Sequence, residues 1–176
     1  MNNPCYSEGV TETKWLDERE MRAWHAFLTA GALVQRRVEQ QLKEQGLSLL
    51  QHEVLVRLAL AEDGELRMTE LADSVLTSKS GLTYQIGQME KTGLVRRRNC
   101  KFDVRAVYAC MTDAGRAKLD EVSPGHVATV RQYLIDILDG EQLDNLAETL
   151  GKVAEQAARS ECATAAIEGE APCPTS

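Results

Sequence analysis

The stretch that most restricts this chain is residues 69–112: a short helical segment, a turn, a second helical segment and a charged hairpin, with almost no spacer between them. Thr69 reads as the cap of the first segment, which runs from Glu70 to about Val75. Ser78 caps the second, from Lys79 to about Thr92, and Gly93 closes it. Within that second helix Leu82, Ile86 and Met89 recur at i, i+4 and i+7, one apolar stripe that has to seat against neighbouring elements. Residues 94–112 (LVRRRNCKFDVRAVYACMT) then place a β-prone run at Val95 and another around Val107-Tyr108, either side of a polar, charged tip. Elements this short cannot enclose a core alone, so the flanks must supply the rest.

The flanks read as long helices. Asp17 with Glu20 three residues on is a capping-box pattern, and Met21, Trp24, Phe27, Leu28, Val34, Val38 and Leu42 follow at helical spacing up to Gly46. Nearly thirty residues is more than a compact domain needs, so this helix is expected to reach out to a partner. Ser48 caps a helix carrying Val54, Leu55, Leu58 and Leu60, which stops near Asp63-Gly64, and Leu66–Met68 reads as a short extended stretch. Thr112 caps a helix with Leu119 and Val122, and Pro124 within Ser123-Pro124-Gly125 is expected to kink or restart it. Val127, Val130, Leu134, Ile137 and Leu138 line one side of the continuation; Asp139 with Gln142 opens a last helix carrying Leu143, Leu146, Leu150 and Val153. The expected organisation is therefore a loose tail (1–16), an N-terminal dimerisation helix (17–46), a compact lobe (47–112), C-terminal dimerisation helices (113–159) and a disordered tail (160–176). The fold class is mainly α with a small β wing.

Charge points to what the lobe faces. Residues 66–116 hold nine Lys and Arg against five acids, a net of +4 inside a chain of net charge −7, so the remainder carries −11. A basic middle between acidic flanks fits a phosphate-facing module on an acidic scaffold. Opposite the apolar stripe, the second helix offers Lys79, Ser80, Thr83, Tyr84, Gln85 and Gln88, side chains that can reach base edges in a major groove. Ser78, Ser80 and the backbone N–H groups of the helix start suit a phosphate. A solvated helix surface is the plainer reading of that face. In the hairpin, strand alternation puts Arg96 and Arg98 on one side and Arg97 on the other. Ion pairing inside the subunit, with Asp113 or Glu90, is the plainer reading of at least one of these arginines. The wing residues expected on DNA are Arg97, Arg98, Lys101, Asp103 and Arg105, with Asp103 holding Arg105 at the tip for entry into a minor groove.

The run MTELADSVLTSKSGLTYQIGQMEKTGLVRR followed by DVRAVYACMTDAGR resembles the MarR family of bacterial regulators, across roughly residues 17–158. The resemblance implies a winged helix-turn-helix homodimer with interlocking terminal helices. It also implies binding to a pseudo-palindromic operator in double-stranded DNA, and release by a small molecule or oxidant acting between the dimer helices and the DNA-binding lobe. The family's Asp-x-Arg wing motif falls on Asp103 and Arg105, with Val104 between them. Trp24, His25 and His52 fall where the resemblance places an effector pocket, although a packing role is the plainer reading of each. Peroxide-sensing members carry a cysteine in the first long helix, where this chain has none.

Other classes find little support. The five cysteines (Cys5, Cys100, Cys110, Cys162, Cys173) form no CxxC pair, and free thiols are expected. No histidine pair has the spacing of a helical metal site, and no nucleophile elbow or phosphate-cradling loop is present, so neither metal, cofactor nor catalysis is expected. No apolar run reaches the roughly 18 residues of a membrane span, and a cytoplasmic location is expected. The competing function is a winged-helix adaptor that binds another protein instead of DNA.

Overall fold

The structure is a computed structural model that describes residues 13–99, 103 and 106–167, with side chains through residue 159. Helix α1 (Glu18–Glu44) starts at the expected capping box: the Asp17 carboxylate accepts the Glu20 N–H at 2.8 Å, and the Glu20 carboxylate accepts the Asp17 N–H at 2.9 Å. Helix α2 (Leu49–Leu60) starts the same way on Ser48 and Gln51. Strand β1 (Glu65–Arg67) leads directly into α3 (Met68–Ser74), then α4 (Lys79–Lys91), β2 (Val95–Asn99) and β3 (Val107–Met111). Helix α5 (Asp113–Val130) passes through a π turn (Arg131–Ile135) before α6 (Gly140–Ile167).

The hairpin forms as expected, with Arg96 opposite Cys110 and Arg98 opposite Tyr108. The Leu66 stretch becomes a third strand: β1 pairs antiparallel with β3, giving the sheet order β1-β3-β2. Its last residue is Arg67, because Met68 already belongs to α3 and packs on the core. Thr69 consequently lies inside the helix; the Glu70 carboxylate takes the Arg67 N–H instead. The core gathers Val54, Leu55 and Leu58 of α2, Leu71 and Ala72 of α3, and Leu82, Ile86 and Met89 of α4, closed by Val95, Ala109, Leu119 and Val122. Of α1 only Val38 and Leu42 are buried, both at the end that meets this core.

Two expectations at the C-terminal side are narrowed. The helix does not restart at Pro124: α5 is continuous from Asp113 to Val130. Proline removes the donor that would reach the Asp120 carbonyl one turn back, while the Ser123 hydroxyl bonds the neighbouring Leu119 carbonyl at 2.7 Å. The final helix continues through Ile167, past the boundary expected at residue 160. The alanines at 163, 165 and 166 favour helix even where the amphipathic pattern has faded.

Candidate nucleic-acid interface

Helices α3 and α4 form a helix-turn-helix. The turn is a Schellman motif: Thr77 N–H bonds Ala72 O at 3.1 Å and Leu76 N–H bonds Asp73 O at 3.3 Å. Ser78 then caps α4, its hydroxyl accepting the Gly81 N–H at 3.1 Å and lying 3.2 Å from the Ser80 hydroxyl. With Leu82, Ile86 and Met89 fully buried, the far side of α4 is necessarily outward. Ser78, Lys79, Ser80, Thr83 and Tyr84 are exposed, and Gln88 is half-buried. The Thr83 hydroxyl bonds the Lys79 carbonyl at 2.7 Å, which turns its methyl group rather than its hydroxyl outward.

Gln85 departs from the sequence expectation. It sits on the flank of α4 that faces α2, where its side-chain oxygen accepts from the Gln51 amide at 3.3 Å. Lys91, seven residues after Tyr84 and eleven after Ser80, shares their face and is exposed. Sequence reasoning left it out, although that spacing was available to be read.

Arg97 and Arg98, expected on DNA, are both held within the subunit. Arg97 shares its side of β2 with the core residue Val95 and is therefore turned toward α4. Its backbone N–H bonds the Glu90 carboxylate at 2.8 Å, its guanidinium pairs with that carboxylate at 3.3 Å, and Nη2 donates to the Thr83 carbonyl at 2.8 Å. Arg98 faces the other way, where Glu65 holds it in a doubly bonded ion pair. Its guanidinium also lies 4.7 Å from the Tyr108 ring centroid, and Arg67 donates to the Tyr108 hydroxyl at 3.0 Å. The buried Cys110 thiol completes this layer by donating to Glu65 at 3.1 Å. Bonds from Arg98 and Cys110 hold the Glu65 carboxyl below its ordinary range, while burial and the Glu65 carboxylate push the Cys110 thiol up. Both effects favour the protonated thiol over the thiolate. Of the expected ion-pair partners Glu90 is used; Asp113 is replaced by Glu65, which β1 carries in when it joins the sheet.

A cleft of about 520 Å³ is lined by Arg67, Met68 and Thr69 at the β1–α3 junction, by Thr83 of α4, and by Arg97, Asp103, Ala106 and Val107 of the hairpin. The Asp103 carbonyl accepts the Ala106 N–H at 3.0 Å. Lys101 and Arg105, with Cys100 and Val104, lie outside the described residues.

The three residues expected around an effector pocket are not brought together in this chain. Trp24 and His25 are exposed on the distal half of α1, where Trp24 stacks on Phe27 with centroids 6.0 Å apart. His52 is buried, its ring centroid 4.4 Å from that of His126 on α5. Beside His126, Gly125 lets α5 approach α1 so closely that a Cβ there would stand 2.6 Å from Gln41 Nε2. Gln41 is sixteen residues beyond His25, about 24 Å along the helix, which accounts for the separation. The His126 Nδ1 and Gln41 Oε1 atoms are buried without a hydrogen-bond partner. Burial and the neighbouring His126 lower the His52 pKa to about 4, and burial also lowers that of His126. Among the described residues no cluster of three or more potential metal ligands occurs, and no helix is long and apolar enough to cross a membrane.

A helix-turn-helix with an outward polar face, followed by a hairpin on a three-stranded sheet, defines a winged helix-turn-helix DNA-binding protein. Residues 45–106 match the model of the MarR family. The chain is 39% identical to AbsC, a MarR family transcriptional regulator from Streptomyces coelicolor; the match covers 82% of this chain and 98% of that one, with a TM-score of 0.79. Sco3205, a MarR family regulator from the same organism solved in complex with DNA, is 36% identical over 83% of this chain and 92% of its own, with a TM-score of 0.80. The repressor MdtR of Bacillus subtilis is 27% identical over 73% of this chain and 81% of its own. The protein belongs to the MarR family of transcriptional regulators.

Proposed function

We propose that this regulator is a repressor that binds a pseudo-palindromic operator as a homodimer and leaves it when a small-molecule effector binds. In this reading residues 17–46 and 113–159 hold the dimer together, and residues 47–112 engage DNA in the cytoplasm. The observation that carries it is the division of α4: Leu82, Ile86 and Met89 are fully buried, while Lys79, Ser80, Thr83 and Tyr84 stand exposed on the other side. A helix so divided enters a major groove without opening the core. Ser78, Lys79 and Ser80 take the phosphate at the helix start. The Thr83 methyl, Tyr84 and Gln88 meet base edges, Lys91 follows the backbone, and Lys101, Asp103 and Arg105 carry the wing tip into the adjacent minor groove. The likeness to a relative solved on DNA and to a named repressor supports the DNA-binding and repressor parts of the reading.

The effector-dependent part draws support from a groove of about 820 Å³ where α1, α2 and the α3–α4 turn meet, lined by Glu39, Lys43, Leu49, Leu50 and Leu76 and reaching Gln85 of α4. A molecule lodged there would press on the Gln51–Gln85 bond and hence on α4. Quantitative footprinting over the DNA upstream of the protein's own gene tests the proposal. At ~100 mM salt it should protect two half-sites about one helical turn apart, well above binding to random duplex. Equal affinity for both DNAs would refute it.

A further inference from the structure

We infer that Arg97 is a positioning residue that fastens the wing to the flank of the recognition helix, and that operator specificity depends on this brace rather than on any phosphate contact by Arg97. The inference rests on the reading of α4 as the DNA-facing helix. Three facts place the side chain. It leaves β2 on the same side as the buried Val95, so it continues the inner face of the sheet toward α4. It meets α4 along one stripe: the Thr83 carbonyl at 2.8 Å and the Glu90 carboxylate at 3.3 Å, residues seven apart and therefore two turns along the same flank. Between them stands Gly87, close enough that a Cβ there would make ordinary van der Waals contact with Arg97 Nη2 at 3.7 Å.

The brace has two anchors because guanidinium is a planar fork. One end is charged, on Glu90, and the other is neutral, on a main-chain carbonyl in the middle of the face that meets bases. The Arg97 backbone N–H adds a third tie to Glu90 at 2.8 Å. The wing root can then neither swing from nor slide along α4 without breaking bonds to a charged group. Arg98 offers no substitute, since Glu65 and Tyr108 hold it on the opposite side of the sheet. What the brace fixes is the angle between the helix that reads the major groove and the hairpin that reaches for the minor groove. An error in that angle penalises the correct sequence, where both must fit at once, more than random DNA, where neither is fully engaged.

The test measures the operator-to-random affinity ratio and the salt dependence of operator binding for the full-length protein and for Arg97→Ala, Arg97→Lys and Glu90→Ala. A brace predicts that Arg97→Ala lowers the ratio roughly tenfold or more, the size of losing hydrogen bonds to a charged group. The slope of log affinity against log salt stays as in the parent, because no phosphate contact is lost. Arg97→Lys fails to restore the ratio, since a point charge cannot span both anchors. Glu90→Ala lowers the ratio as well, and combining it with Arg97→Ala adds little. A slope shallower by about one unit in Arg97→Ala, restored by Arg97→Lys, would make Arg97 a phosphate contact and overturn the inference. An unchanged ratio in both Arg97 variants, with far-ultraviolet spectra showing them folded, would overturn it too. A parent protein with no operator preference would instead bring down the DNA-binding reading itself, a result visible before any variant is made.

Discussion

Leu76 holds the α3–α4 turn in a conformation that leucine resists. Its φ is +49°, and 88% of its surface is exposed, so little burial offsets the strain. Helices α1 and α4 end in the same motif but place glycines there, Gly46 at φ +78° and Gly93 at φ +74°. The left-handed region costs an L side chain roughly 1–2 kcal/mol, part of which glycine gives back through its freer unfolded chain. Leu76→Gly should therefore raise stability by about 0.5–1 kcal/mol in urea melts with m unchanged; a loss of stability would mean that the exposed leucine makes a contact worth more than the strain. Nothing local in the sequence marks this residue, since a leucine after a short helix carries no sign of a left-handed backbone. His52 is the second residue whose role emerged only in three dimensions, through its contact with His126. A folded pKa near 4 against about 6.5 when unfolded means the unfolded chain binds more protons between those values, so stability rises with pH. The contribution is intact above about pH 6.5 and drains away toward pH 4, by on the order of 3 kcal/mol. Denaturant melts at pH 7.5 and 4.5 should show His52→Gln losing less stability on acidification than the parent. Parallel losses would remove His52 from the acid response.

At the level of elements, the helix starts were the most legible feature. Asp17, Ser48, Ser78, Thr112 and Asp139 all serve as read, because a cap is a local bargain between one side chain and a backbone N–H two or three residues on. Thr69 failed because its helix begins against β1, and pairing of β1 with β3 links residues more than forty apart, a relation no local pattern encodes. The arginines of β2 show the same limit: alternation gave their sides, but Glu65 as the partner of Arg98 depends on that third strand. The junction of hairpin and α5 is the tightest such contact. Thr112 caps α5 while its hydroxyl also lies 2.6 Å from the Gly93 carbonyl, and a Cβ on Gly115 would fall 2.1 Å from the Leu94 carbonyl oxygen. Backbone cannot yield there as a side chain would. Gly115→Ala should destabilise the protein by about 2–3 kcal/mol, near the upper range of overpacking, and lower its melting temperature accordingly. A variant as stable as the parent would show that α5 can back away from the sheet at no cost.

At the scale of the molecule, the long flanking helices were legible in the spacing of their apolar residues, and their length pointed to a partner. The described chain is well packed around α2–α5 and poorly covered elsewhere. Trp15, Leu16, Met21, Trp24, Phe27, Leu28 and Leu33 are exposed at the α1 end, as are Leu150 and Val153 on α6, which buries none of its side chains described through residue 159. Large apolar side chains clustered in this way are costly in water and mark an interface. Periodicity alone named many of these residues, but it cannot distinguish a stripe that meets its own chain from one that meets another; only their exposure among the described residues bears on that. Under the proposed function a second copy is the occupant that serves both ends, since α1 of one subunit and α6 of the other are each amphipathic and incomplete. Phe27→Asp places a charge inside that stripe next to Trp24, whose ring it now stacks on. In sedimentation at micromolar concentration the parent should run as a dimer, with a melting temperature that climbs as the protein is concentrated, because assembly stabilises only the folded form. The variant should run as a monomer, melt at a lower temperature independent of concentration, and lose operator binding far more than random binding, since two lobes no longer arrive together. A parent that sediments as a monomer, or a Phe27→Asp protein that remains dimeric, would mean that the exposed stripe has another occupant and that the spacing of operator half-sites is set by something other than α1 and α6.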